Sequence, residues 1–212
     1  MNSNRLLLVA TLLAASNLSA QKWEFGTGIG AGISSSKNIT NTRGSADAKF
    51  ATGLNASAWI ANNSSNRWGG EFRYNYRTGG MELKSGSAKA TFGAQSQSIH
   101  YDFHFHFSDT ESFLRPFVGF GGGVKMFRGT GTEIAAQPLS AVALLTKTND
   151  MRPMVSLAAG VKVKVSDRWG FRVEFHDFLT QFPSKVIQPN VGSRVSGWIH
   201  DYVPSFGVSY LF

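Results

Sequence analysis

Apolar and polar residues alternate with a period of two through eight segments of this chain, roughly 22–33, 48–61, 68–77, 91–107, 113–127, 152–165, 169–178 and 198–212. That period predicts strands rather than helices, because successive strand side chains point to opposite faces. In the third segment Trp68, Gly70, Phe72, Tyr74 and Tyr76 share one parity, while Gly69, Glu71, Arg73, Asn75 and Arg77 share the other. The fourth sets Ile99, Tyr101, Phe103, Phe105 and Phe107 against His100, Asp102, His104 and His106. The seventh sets Trp169, Phe171, Val173 and Phe175 against Gly170, Arg172, Glu174 and His176. Each strand is long enough to cross a bilayer at a tilt, which takes about 9–11 residues.

Alternation alone does not say which face is inside, since a lipocalin-like barrel alternates too, with its apolar face inward. Three features favour a membrane barrel with the apolar face outward. The polar parity is rich in small residues, as in Glu24, Gly26, Gly28, Gly30 and Gly32, which suits a narrow interior. The connections alternate between short (62–67, 108–112, 166–168) and long (34–47, 78–90, 128–151, 179–197), the asymmetry of periplasmic turns and extracellular loops. Trp23, Trp68, Phe107, Phe113, Trp169, Tyr210 and Phe212 all fall near the short-turn end, as an interfacial aromatic girdle requires. Within lipid every backbone polar group must be paired internally, so such a sheet must close on itself. The predicted fold is all-β: an eight-stranded antiparallel up-and-down transmembrane β-barrel with both termini in the periplasm.

The amino terminus adds a compartment. Arg5, the apolar run Leu6 to Ala15 and the small pair Ser19-Ala20 predict a signal peptide over 1–20, cleaved before Gln21. Residues 21–212 are then one barrel domain in the cell outer membrane. The chain has no cysteine, so disulfides and thiolate metal sites are excluded. The formal charge of +8 would otherwise raise nucleic acid as a partner. With an export signal, outer-membrane lipid and lipopolysaccharide are the expected neighbours, and no nucleic acid. Much of the excess lies in the long connections, at Lys37, Arg43, Lys84, Lys89, Arg128, Lys147, Lys185 and Arg194.

The chain ends in Val208-Ser209-Tyr210-Leu211-Phe212, with Phe206 continuing the parity upstream. With Arg115-Pro116-Phe117-Val118-Gly119, Gly121-Gly122-Gly123 and the turn Ser166-Asp167-Arg168-Trp169-Gly170, it resembles small bacterial outer-membrane β-barrels of the OmpA/OmpX-like kind. The resemblance implies that Phe206, Val208, Tyr210 and Phe212 form the signal read by the barrel-assembly machinery. No peptidoglycan-binding domain is expected after the last strand.

On the polar faces, Glu71, Arg73, His100, Asp102, His104, Lys125, Lys162, Arg172, Glu174 and His176 are predicted to form a polar network in the lumen, since buried charges need partners. A metal centre ranks below that network. His100, Asp102, His104 and His106 share one strand face, where same-face neighbours lie about 7 Å apart, far for two ligands of one ion unless the side chains converge, with His176 and Glu174 as the candidates to join from another strand. His106-Phe107-Ser108 is similar to the His-x-Ser element of lipid A deacylase barrels, yet its Ser108 falls at a periplasmic turn. The glycines at 26, 28, 30 and 32 repeat every second residue with no helix following, so they make no nucleotide loop, and no cofactor is expected. The apolar stretch Leu139 to Leu145 is predicted either to pack over the barrel mouth or to meet a partner. The expected function is non-enzymatic, structural or interactive through the extracellular loops, in a monomer. A narrow pore or small-ligand channel ranks second and a lipid A-modifying enzyme third.

Overall fold

A computed structural model describes residues 23–63, 65–195 and 197–212. The predicted signal peptide and its cleavage site lie outside these residues. Among the described residues twelve strands run in chain order: β1 (Trp23–Ser34), β2 (Lys37–Asn41), β3 (Gly44–Phe50), β4 (Gly53–Asn62), β5 (Trp68–Ser85), β6 (Ala88–His106), β7 (Leu114–Gly129), β8 (Ala143–Leu145), β9 (Asn149–Lys164), β10 (Trp169–Gln181), β11 (Ile187–Pro189) and β12 (Trp198–Leu211). Eight of them, β1, β4, β5, β6, β7, β9, β10 and β12, close an antiparallel ring, because β1 pairs with both β4 and β12. At the seam, the Trp23 amide donates to the Phe212 carbonyl at 3.2 Å and the Phe212 amide donates to the Trp23 carbonyl at 3.0 Å. No sheet edge is left in the membrane-spanning ring.

The apolar parity faces out. Phe72, Tyr74, Phe103, Phe171 and Phe175 are exposed on the outer wall. Phe105 is half-covered there by Trp68 and Phe107, with ring centroids at 5.1 and 5.3 Å. The girdle residues Trp23, Trp68, Phe107, Phe113, Trp169 and Phe212 ring the short-turn end, and Trp169 packs edge-on against Tyr210 at 5.2 Å. A lipocalin-like barrel would place these rings inside, so the outward apolar wall decides for a membrane barrel.

Three boundaries differ from the sequence expectation. The segment 48–61 is two strands, not one. Phe50 pairs with Met81 and Asn55 with Arg77, so four residues, 51–54, face three on β5, 78–80. This extra residue is a bulge, and it reverses the inward parity. Ala46, Ala48 and Phe50 point inward before it, and Asn55, Ser57, Trp59 and Ala61 after it. Second, the expected loop 78–90 is mostly strand, since β5 and β6 continue past the bulge to a tight turn in which Gly86 takes φ 57°. Third, the expected loop 34–47 is the β2–β3 hairpin, which continues the sheet above the ring by pairing β3 with β5.

The long connections build a cap over the extracellular mouth. β8 and β11 pair into a separate two-stranded sheet. A cluster of buried apolar residues joins the elements: Ile39 from β2, Leu83 from β5, Phe92 from β6, Phe127 from β7, Leu145 from β8 and Ile187 from β11 stand for it. Leu139 packs against its edge, so the 139–145 stretch covers the mouth. Polar clamps tie the parts together. Thr40 and Arg194 exchange backbone bonds of 3.1 and 2.8 Å, and Asn41 Nδ2 donates to the Ala141 carbonyl at 2.7 Å. Lys89 donates to Glu82 at 2.9 Å on the outer wall of the cap, and this bond holds the Glu82 carboxyl below its ordinary range.

Candidate functional site in the barrel interior

The lumen below the cap is filled by charged side chains stacked in layers. Glycine on one strand makes room for bulk on another. An added Cβ at Gly26 or Gly207 would lie 2.3–2.4 Å from the Trp59 indole, so the glycines of β1 and β12 admit this ring to the interior. Gly119, Gly121 and Gly123 of β7 stand opposite His104, Asp102 and His100 of β6, and a Cβ at any of them would strike its partner.

At the periplasmic opening, Arg115 donates to Asn63 Oδ1 at 3.1 Å and to the carbonyls of Asn66 and Ser65 at 3.0 and 3.3 Å. Above it lies the main lattice. Arg73 forks onto Glu174, with Nη2 to Oε2 at 2.9 Å, and donates through Nε to Glu71 at 2.7 Å. Arg172 bridges Glu24 and Glu71 and also touches Glu174 at 3.4 Å. Lys162 donates to Glu24 at 2.8 Å and to Asn63 at 3.2 Å. Both guanidinium carbons sit over the Trp59 ring, at 4.6 Å for Arg73 and 4.3 Å for Arg172. Charges this deep in low dielectric are tolerable only where opposite charges meet them in this way.

The next layer holds Asp102, His100, His176 and Ser156, all buried. Ser156 Oγ donates to Asp102 Oδ2 at 3.0 Å. Met154, Phe178 and Val203 form a thin apolar layer above. Beyond it Asp201 receives Arg77 at 2.7 Å, Lys125 and the Ser34 hydroxyl, and Arg77 also donates to the Ala51 carbonyl of the bulge at 2.7 Å. The apolar cap closes directly on this layer, with the Lys125 ammonium 5.2 Å from the Phe127 ring centroid.

All ten residues singled out from the sequence for the lumen have inward side chains, with Lys162 only partly buried. They do not form one network. Glu71, Arg73, Arg172, Glu174 and Lys162 meet in the main lattice. Lys125 lies beyond two intervening layers and pairs with Asp201, a residue the alternation pattern leaves unremarked. His104 packs on Phe117 at 4.7 Å rather than on a carboxylate. Glu24, Arg77, Arg115 and Asp201 are charged interior residues that the sequence reasoning left out of the network. Glu24 carried a signal, its inward parity opening a glycine-rich strand. His106 and Ser108 are not joined as a catalytic pair. His106 is buried at the periplasmic end beside Phe117, and the Ser108 carbonyl accepts from Arg115 Nε at 3.4 Å. On the outer wall, Phe206 and Phe212 are exposed, while Val208 and Tyr210 are half-covered.

A closed eight-strand ring, an apolar outer wall with an aromatic girdle and a charged lumen define an integral membrane β-barrel. Residues 6–212 match the family model described as the outer membrane protein beta-barrel domain, and the chain belongs to that family. It is an integral protein of the cell outer membrane. No curated protein sequence matches it. Among solved structures it is similar to the outer membrane protein OprG from Pseudomonas aeruginosa, at 12% identity and a TM-score of 0.60 over 91% of this chain and 96% of that one. It is also similar to Neisserial surface protein A, at 14% identity and 0.52 over 89% and 97%. The outer membrane protein AlkL in lipid bilayers gives 13% identity and 0.51, over 93% of each chain. At these identities the likeness is one of fold.

Proposed function

We propose that this protein is a non-enzymatic, monomeric outer-membrane barrel that works through its extracellular cap rather than through its lumen. The observation that carries this reading is the double closure of the interior. The Glu24–Arg172–Glu71–Arg73–Glu174 lattice fills the periplasmic half, and the apolar cap around Ile39, Leu83, Phe127 and Ile187 covers the outer mouth. An eight-stranded ring has room for side chains and little more. The cap instead presents a folded surface to the outside, edged by the exposed cations Arg43, Lys84, Arg128, Lys147, Lys185 and Arg194. Their chemistry suits the phosphates of lipopolysaccharide around the barrel, through charge-assisted hydrogen bonds. The placement of His106 and Ser108 at the periplasmic end argues against a hydrolase acting on the outer leaflet.

Conductance across a planar bilayer tests this reading. Purified protein is expected to give no stable open-channel steps. Discrete, long-lived steps in the unmodified protein would establish the pore reading in its place.

Assembly supplies a second test. Phe212 ends the outward parity of β12, and its backbone ties the seam to Trp23. Deleting it is expected to lower outer-membrane levels several-fold and to raise the periplasmic fraction lacking heat-modifiable migration. Undiminished insertion of the truncated chain would remove Phe212 from the assembly signal.

A further inference from the structure

Five carboxylates face the lumen below the cap among the described residues: Glu24, Glu71, Asp102, Glu174 and Asp201. Four have Arg or Lys partners. Asp102 is different. Its ion-pair neighbours are two imidazoles, with His100 Nε2 at 3.4 Å and His176 Nε2 at 3.8 Å from the same oxygen, Oδ2. Neither Nε2 has a hydrogen-bond partner, nor does Asp102 Oδ1, although all three side chains are at least 98% buried. Orphaned polar atoms this deeply buried call for an occupant, and the two Nε2 atoms converge on the Asp102 carboxylate.

We propose that His100, Asp102 and His176 bind one divalent transition-metal ion, of which zinc best fits the donor set. Two neutral imidazoles and one carboxylate are a sufficient protein donor set for zinc, with water in the fourth position. In a tetrahedral site with bonds of about 2.0–2.1 Å, ligand atoms are about 3.4 Å apart. The His100–Asp102 separation already has that value. All the candidate ligand atoms lie within 4.8 Å of one another, so the widest pair must close by at most about 1.4 Å. Ser156 Oγ donates to this same Oδ2 at 3.0 Å, the kind of outer partner that orients a metal ligand. Gly121 and Gly123 leave the space that Asp102 and His100 occupy.

The competing occupant is a proton on one imidazole, paired with Asp102. A proton serves one ring and leaves the other Nε2 orphaned, whereas an ion serves both. The ligands come from β6 and β10, which are separated in the ring by β7 and β9. The ion therefore clasps opposite walls. With the lattice below and the cap above, it is taken up as the barrel closes and is slow to leave afterwards.

The chain is unfolded in urea with a chelator and refolded into detergent micelles with zinc, with cobalt, or with neither. Metal is then counted after gel filtration in chelator. The proposal expects equimolar zinc retained by the heat-modifiable form, a higher unfolding temperature than without metal, and an intense visible band of low-symmetry cobalt. The His100→Gln/His176→Gln double variant is expected to retain none. Ser156→Ala, which keeps all three ligands, is expected to bind about tenfold more weakly while remaining folded. Folded unmodified protein that retains no zinc overturns the proposal, whether or not the variants fold. So does zinc retained equally by the folded double variant, or cobalt bound without the band.

Discussion

Arg172→Ala is expected to be the most damaging single substitution in the barrel wall. Arg172 is fully buried and touches Glu24, Glu71 and Glu174 together. Its loss leaves three carboxylates around two remaining cations, Arg73 and Lys162. Breaking a buried pair from one side costs about 3–5 kcal/mol, because the surviving charge stays buried without compensation. The denaturant midpoint of the refolded barrel should drop accordingly, and a share of the chain should lose heat-modifiable migration at room temperature. Arg172→Lys keeps the charge but not the fork, and is expected to fall between the two. An unchanged midpoint for Arg172→Ala would mean that water already shares the lattice.

Ile187→Asp is expected to open the cap and spare the barrel. Ile187 is fully buried in β11, which pairs with β8 and not with the ring. A carboxylate there removes apolar burial and introduces an unpaired charge, together at least about 3 kcal/mol. Trypsin added outside intact cells should then cut after Lys147, Lys185 or Arg194, at sites that resist in the unmodified protein. Heat-modifiable migration should persist, since none of the ring pairings includes β11. Conductance should stay absent, because the charged lattice remains. Equal cleavage of the two proteins would show that the connections do not depend on the apolar cluster for their order.

The ring of strands is legible in the sequence because its cause is local. Alternation between Phe72, Tyr74 and Tyr76 on one side and Glu71, Arg73 and Asn75 on the other follows from the pleat alone. The bulge at 51–54 is not legible, because a parity reversal between Phe50 and Asn55 reads as noise inside a single alternating stretch. Height along the barrel is lost for a similar reason. Parity says that Lys125 points inward, but its partner is fixed by the stagger of all the strands between β7 and β12, which places Asp201 beside it. The cap was half visible. Leu139 to Leu145 stood out as too apolar for a loop, yet nothing local says that Ile39, Leu83 and Ile187 converge on it. The convergence of His100 and His176 on Asp102 is of the same kind, since it joins strands from opposite walls.

Three ion pairs of the lumen join positions far apart in the chain: Arg73 to Glu174 across 101 residues, Arg77 to Asp201 across 124, Arg172 to Glu24 across 148. None can form in a partly wound sheet. Until the first and last strands meet, each of these groups is better left hydrated than buried. Their dehydration is therefore tied to the final docking of β1 on β12, and the bulk of the electrostatic reward arrives only then. Pairings of such long sequence separation form slowly. The chain must wait as an unclosed, water-filled sheet with aromatic rings facing outward, the state in which an escorting chaperone has the most to protect.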